Sequence, residues 1–160
     1  MTNNDILRRL RYTLNITNQQ MMDLYALGGL PVDENKVITW LKRDDDEGYK
    51  SCPDKAFAHF LNGLIIHKRG PQEGGVPEAE DELTNNIVLR KLKIAFNLQA
   101  EDILAILEEV DFRLSKSELS AFFRKPTHKN FRECKDQVLR NFLTGLQHRL
   151  RGKAPESDPS

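Results

Sequence analysis

FRECKDQVLRNFLTGL, Phe131 to Leu146, has a twin in the same chain, YKSCPDKAFAHFLNGL, Tyr49 to Leu64. Cys134 answers Cys52, Asp136 answers Asp54, Phe142-Leu143 answers Phe60-Leu61, and Gly145-Leu146 answers Gly63-Leu64, each at an offset of 82 residues. Carried outward without a gap, the offset sets residues 2–70 against 84–152, with about fifteen identical pairs over roughly seventy positions. Thr2-Asn3-Asn4 meets Thr84-Asn85-Asn86, Leu7-Arg8 meets Leu89-Arg90, and Arg69-Gly70 meets Arg151-Gly152. An ungapped match of this length marks an internal duplication.

The matched residues also say what each copy is. Ala56, Phe57, Phe60, Leu61 and Leu64, like Val138, Leu139, Phe142, Leu143 and Leu146, recur at spacings of three and four, a wide apolar stripe on a helix. Further helical segments precede it. The first carries Leu7, Leu10 and Leu14 (Leu89, Leu92 and Phe96 in the second copy) behind a Thr-Asn-Asn cap. The second starts at a Thr17-x-x-Gln20 capping box and runs through Met21, Leu24 and Tyr25 against Ile103, Ile106 and Leu107. It stops at Gly28-Gly29 before Pro31; Val110-Asp111 stand there in the second copy, so that turn is expected to differ. The third segment starts at Asp33 and Ser115 and places Val37, Trp40 and Leu41 against Leu119, Phe122 and Phe123. No stretch alternates with period two, so no strand is expected. The fold expected is all-α: two tandem four-helix repeats related by a pseudo-twofold, with helices of about ten to sixteen residues. A repeat of about seventy residues is marginal for a core of its own, so apolar surface should be shared between repeats or between subunits.

Residues 71–83 combine Gly74-Gly75, prolines and five acidic side chains, which reads as a flexible acidic linker between the repeats. Residues 153–160, KAPESDPS, read as a disordered tail. The chain has 160 residues and a formal net charge of zero, so no bulk electrostatic argument favours nucleic acid or an anionic membrane. The zero hides an imbalance of about +1 in residues 2–70, +5 in 84–152 and −5 in the linker. The start, MTNNDILRRLRY, has no apolar run suited to a signal segment, and no window approaches a membrane span, so a cytoplasmic chain with no membrane partner is expected.

Residues that could carry chemistry are few. Cys52 and Cys134 precede a helix start, where a thiolate nucleophile or redox sensor could sit, but a free Cys usually serves as a small buried hydrophobe. Their equivalent places argue against a mutual disulfide, and no Cys/His spacing suits zinc. Asp54 and Asp136 fall in the first turn of the fourth helix, where capping is the expected role. Asp44-Asp45-Asp46-Glu47 invites a calcium reading but lacks the alternating ligand register of an EF-hand. The matching stretch, Pro126 to Lys129, is neutral to basic, a contrast that a contact between repeats or copies could use.

Candidate binding residues lie on the basic first helices and after the third: Asn4, Arg8, Arg11 and Lys42, with Asn86, Arg90, Lys93, Arg124, His128 and Lys129. Asn and Arg on one helix face can hold phosphates or read bases, although a solvated basic face explains them too. No catalytic or metal-binding residue is assigned and no cofactor is implied. No phosphate-cradling loop, nucleophile elbow or zinc-protease helix is present, which argues away from an enzyme.

Three strings together resemble a known family. N-N-x-x-L-R-x-L-[RK] stands near each start, L-K-R-x-D-x-x-G-Y-x-x-C-P-D in the first copy, and H-K-N-F-R-E-C-x-D-Q-x-L-R-N-F-L-x-G-L in the second. They look like the YehS-like bacterial proteins, small duplicated proteins of unknown function. The resemblance runs from Thr2 to Gly152 and implies a bacterial cytosolic chain of two related helical units. It carries over no functional residue. From the residues themselves, the expected function is a non-enzymatic interaction or regulatory module with a protein partner or self-association. Nucleic-acid binding through the basic first helices and the basic second repeat is the alternative.

Overall fold

A computed structural model describes residues 1–152; the tail expected over 153–160 lies outside the described residues. The first copy holds α1 (Asn3–Leu14), α2 (Asn18–Leu27), α3 (Glu34–Trp40) and α4 (Asp54–Arg69). The second holds α5 (Asn85–Ala95), α6 (Ala100–Glu108), α7 (Lys116–Phe122) and α8 (Asp136–Arg151). Each helix of the second copy starts 82 residues after its counterpart, and no strand occurs among the described residues. The chain is all-α, as the apolar spacing requires.

Local chemistry sets the starts. The Thr2 hydroxyl accepts from the Asp5 amide and the Asp5 carboxylate from the Thr2 amide, each at 3.0 Å, and Thr17/Gln20 and Ser115/Glu118 form the same reciprocal box. At α4 and α8 the expectation fails: neither N-terminus has a side-chain cap, because Asp54 and Asp136 turn outward to other partners. The third helices, at seven residues each, are shorter than expected. Trp40 and Phe122 are buried, and Asn4 and Asn86 claim the Lys42 and Phe122 carbonyls where the chain turns.

The turn after α2 also differs from expectation, in the opposite sense. Asp111 adopts the left-handed conformation of its counterpart Gly29, at φ 59° and 96° respectively. Phe112 donates to the Leu107 carbonyl at 3.0 Å just as Leu30 donates to that of Tyr25 at 2.9 Å. Asp tolerates this region better than most residues, so the backbone turn survives the loss of glycine. Gly28 instead serves close packing. A Cβ on Gly28 would lie 1.7 Å from the His59 carbonyl oxygen, and one on Gly63 would lie 1.7 Å from that of Leu24. The backbones of α2 and α4 thus cross glycine to glycine, and His59 Nδ1 donates to the Gly28 carbonyl at 2.7 Å. The second copy has Val110 opposite, and its Gly145 is less tightly confined, with Ile106 atoms 2.6 Å from a built Cβ.

One apolar cluster runs through both repeats, from Leu7, Tyr25 and Phe60 to Leu89, Ile106 and Phe142. The repeats meet where α1 packs on α8 and α5 on α4. These are the same pair of helices seen from each copy, so the contact is isologous, as a pseudo-twofold demands. The polar bonds repeat the symmetry. Arg9 donates to Thr144 Oγ1 at 2.8 Å, and its counterpart Lys91 donates to Asn62 Oδ1, at the place of Thr144, at 2.6 Å. The Met1 ammonium meets Asp136 at 2.8 Å, and the amide of its counterpart Leu83 donates to Asp54 at 2.8 Å. Partners advance in step along both helices, so each contact pairs parallel helices.

Of residues 71–83, acidic by composition, the part from Pro77 onward is laid along α4 and α5. The Pro77 carbonyl accepts from Asn62 at 3.3 Å, Glu80 pairs with Lys91 at 3.0 Å, Asp81 with Lys55 at 3.4 Å, and Ala79 is buried. No helix among the described residues is long and apolar enough to cross a membrane.

The glycine crossing gives a graded expectation. Gly63→Ala forces backbone against backbone and should cost about 3 kcal/mol or more in urea unfolding, whereas Gly145→Ala should cost about 1–3 kcal/mol. Equal losses would contradict the difference between the two copies.

Candidate functional site

The polar residues shared by the copies do not gather at one point: Asn4 and Asn86 each bond within their own repeat, while Asp54 and Asp136 also reach the other copy. Asn4, buried on α1, donates to the carbonyls of Lys42 at 3.2 Å and Lys50 at 3.1 Å, and its Oδ1 accepts from the Cys52 amide at 2.8 Å. Asn86 does the same for Phe122, Arg132 and Cys134, at 3.0, 2.8 and 2.9 Å. One amide side chain thus satisfies the backbone of the connection that leads into α4 or α8, groups that would otherwise be buried unpaired. The adjacent Asn3 and Asn85 bond the carbonyls of Cys52 and Cys134 at 2.9 and 3.0 Å and the carboxylates of Asp54 and Asp136 at 2.8 and 2.7 Å.

The remaining sequence candidates divide in the same way. Arg8 donates to the Lys42 carbonyl at 2.9 Å and pairs with Asp5. Arg90 reaches the Phe123 carbonyl at 3.5 Å, and the Lys93 ammonium sits 5.8 Å from the Phe123 ring centre. The Lys42 ammonium is turned onto the Glu47 carbonyl at 2.6 Å. Arg11 is half-buried in the last turn of α1. His128 and Lys129 are exposed on the α7–α8 connection; the His128 Nδ1 accepts from the Asn130 amide at 2.9 Å, and the Arg124 guanidinium lies 3.5 Å from Nε2. In a neutral ring Nε2 then carries the proton, so that last approach is a contact and not a hydrogen bond. The two sets bind backbone on separate repeats, and Asn4, Arg8 and Lys42 come together only around their own connection.

Both thiols are free and buried. Burial pushes each up to about 12, with the neighbouring carboxylates of Asp54, and of Asp136 and Glu133, acting in the same direction. At neutral pH each thiolate is then about a 10⁻⁵ fraction, a poor nucleophile in the folded chain. In the acidic run Asp46 accepts from the Arg43 amide at 2.8 Å, and among the described residues no three His, Cys, Asp or Glu side chains converge as a metal-donor set.

What the structure adds is a groove of about 480 Å³ where the N-terminal end of α1 faces α8. Arg8, Arg9, Arg43 and Arg140 line it with the Met1 ammonium, against Asp5, Asp44 and Asp45. Asp5 is occupied by Arg8 and by the Thr2 amide. The hydrogen bond from the Met1 ammonium, then the one from Asn85, holds the Asp136 carboxyl below its ordinary range. Among the described residues the groove is therefore polar, with four arginines and the Met1 ammonium against three aspartates. Arg9, Arg43 and Arg140 are basic residues of the sequence that were not among the candidate binding residues. The signal that could have found them is divergence between the copies, since Arg140 stands where the first copy has Ala58.

Two outcomes follow. Asn4→Ala and Asn86→Ala should each cost about 2–3 kcal/mol in urea unfolding, because a buried amide and two carbonyls lose their partner. A loss under about 0.5 kcal/mol for either would remove the stapling role. Iodoacetamide at pH 8.5 should modify neither cysteine until denaturant is added. The raised folded-state thiol value also fixes a sign: its contribution to stability is whole below the unfolded thiol's pKa of about 8.5 and is lost as pH climbs through it toward 12. Rapid alkylation of the folded chain would contradict both.

Comparison with known proteins agrees with the duplicated architecture. A family model described as "Protein of unknown function (DUF1456)" matches residues 3–70 and again 85–152. The chain is similar to an uncharacterized protein, YehS, of Escherichia coli (strain K12), at 49% identity over 150 residues, covering 93% of this chain and 96% of that one. No solved structure matches. With both repeats matched and half of the residues shared with a relative covered almost end to end, the chain belongs to the DUF1456 family and carries the family's unit twice.

Proposed function

We propose that the chain is a non-enzymatic cytoplasmic interaction module whose docking surface is the arginine-lined groove between α1 and α8. One observation carries this reading. The other polar residues common to both copies are occupied in holding the chain together, whereas Arg140, which stands opposite buried Ala58, is exposed and flanks one recess with exposed Arg43. A symmetric scaffold with one asymmetric charged recess is suited to recognising a partner, because charge complementarity sets orientation and excludes wrong partners. The recess is shallow and polar, unlike the concave, mainly apolar pockets that hold small-molecule substrates. Both thiols are withdrawn from it into the core.

Half-buried Arg124, exposed His128 and Lys129, and the +5 balance of residues 84–152 keep nucleic acid as the competing partner class. A photo-crosslinking residue placed at position 140, and as a control at exposed Asn35 on α3, tests the reading in cells. A discrete protein adduct at 140 and not at 35, whose purified partner binds the chain and loses binding with Arg140→Glu, is the expected result. In parallel, fluorescence anisotropy with single- and double-stranded oligonucleotides at low salt should show no saturable binding. Oligonucleotide binding that collapses steeply with salt, or adducts identical at both positions, would overturn the proposal.

A further inference from the structure

The connections that lead into α4 and α8 share one backbone and differ in charge. Asp46 donates its amide to the Arg43 carbonyl at 3.0 Å, and Tyr49 donates to that of Asp46 at 3.2 Å. His128 and Phe131 make the same two bonds, to Lys125 and His128, at 2.9 and 3.0 Å. The flanking bases are kept, Arg43 as Lys125 and Lys50 as Arg132. The turn between them is reversed: Asp44, Asp45, Asp46 and Glu47 become Pro126, Thr127, His128 and Lys129. Asp46 is engaged by the Arg43 amide at 2.8 Å. Among the described residues the exposed side chains of Asp44, Asp45, Glu47, Lys125 and Lys129 have no hydrogen bond or ion pair, so neither connection uses the other within the chain.

Helix directions fix where the two connections stand. Asp136, Thr144 and Arg151 of α8 meet Met1, Arg9 and Tyr12 in that order, so α1 and α8 are parallel. Within the first repeat Asn3 bonds Asp54, while Leu14 lines a recess with Leu64 and Lys68, so α1 and α4 are parallel too. A twofold that carries α1 to α5 and α4 to α8 within one parallel set must run along the helices. Both connections therefore stand at one end of the molecule, level with each other on opposite sides of the axis. It is the end where α4 and α8 begin, about 24 Å along α8 from Gly152, the last described residue.

We propose that this end is a homodimer face, on which the acidic turn of each copy meets the basic connection of the other. A second copy is turned over about a twofold perpendicular both to the helices and to the line between the connections. Its Asp44, Asp45 and Glu47 then fall on Lys125, Lys129 and Arg132 of the first copy, and the reverse contact forms at the same time. The pair is closed, as an isologous contact requires. Charge reversal between the repeats is what permits it, since two turns of one sign would be set like against like by the same operation. A formal net charge of zero removes overall repulsion between copies. The contact is made of exposed charges, so it is weak, steered by charge and sensitive to salt. Asp44 and Asp45 also stand at the rim of the α1–α8 groove, but the dimer does not depend on that groove having a partner.

Sedimentation velocity on the full chain is the test. At low salt the chain should pass from monomer to dimer with concentration and form nothing larger. Raising the salt to about 0.5 M should weaken the dimer about tenfold or more. The triple variants Asp44→Lys/Asp45→Lys/Glu47→Lys and Lys125→Glu/Lys129→Glu/Arg132→Glu, each checked by circular dichroism to be folded, should each be monomeric, because each loses the opposition between its two connections. Mixed in equal amounts they should recover the dimer. The single swaps Glu47→Lys and Lys129→Glu, at matched exposed positions, repeat the measurement in milder form where a triple variant does not fold. A native chain that stays monomeric at low salt, a dimer that survives both reversals, a mixture that fails to associate, or growth beyond the dimer would overturn the proposal. Each of these outcomes leaves the position-140 adduct standing as the separate test of the groove.

Discussion

Two carboxylates hold the architecture at its joints. Asp54 accepts from Asn3 of its own repeat and from the Leu83 amide, which leads into α5 of the other; Asp136 accepts from Asn85 and from the Met1 ammonium. Each acid therefore ties the first helix of its own copy to the fourth and anchors the chain just before the opposite first helix. The arrangement works only if α4 and α8 begin at a fixed place. That place is set by buried Asn4 and Asn86, which satisfy the backbone of the preceding connections. An unmet buried amide is costly enough that the connections have little freedom to shift. The rest follows: α4 meets α5, α8 meets α1, and a single apolar cluster closes over both copies. Two units too small to be stable alone become one.

Divergence is confined to places where the symmetric frame can accept it. In the first copy α2 and α4 cross with bare backbone between Gly28 and Gly63, beside a Tyr25–Phe60 ring contact at 5.1 Å. The second copy fills the corresponding space with Val110, Leu107 and Phe142, and its crossing is looser. At the repeat interface one track carries the connector and the other carries arginines. Both sets of differences leave the cross-repeat bonds intact, since Lys91 to Asn62 and Arg9 to Thr144 are the same bond with different side chains. A duplicated frame with one unmatched face is how this chain obtains an asymmetric surface.

Much of this was legible in the residues. The constant offset, the Thr17 and Ser115 boxes, and the three-and-four spacing of Phe57, Phe60, Leu61 and Leu64 sufficed for an all-α duplicate. The stapling role of Asn4 was not legible, because its partners are carbonyls 38 and 46 residues away and no local pattern names them. Asp54 looked like a cap because it stands in a first turn; only the tertiary approach of Leu83 diverts it. Gly28 looked like a stop signal, whereas its turn conformation belongs to Gly29 and its own role is steric. The connector's composition argues for a free tether, and composition has no means of registering that Lys91 and Asn62 wait on the adjoining helices. The arginine groove was missed for a related reason: matching residues between copies draws attention to what they share, and the residue that sets the groove apart, Arg140, stands opposite Ala58.

The account's central claim is that residues 77–83 are a seated segment of the fold, held along α4 and α5 by Asn62, Lys91 and Asp54. Backbone ¹⁵N relaxation measures this directly at the amides of Glu78 to Leu83. The account predicts order parameters of about 0.85, equal to those of α4 and α5. Values under about 0.6 across those six residues would show a connector free of its groove and would contradict the claim.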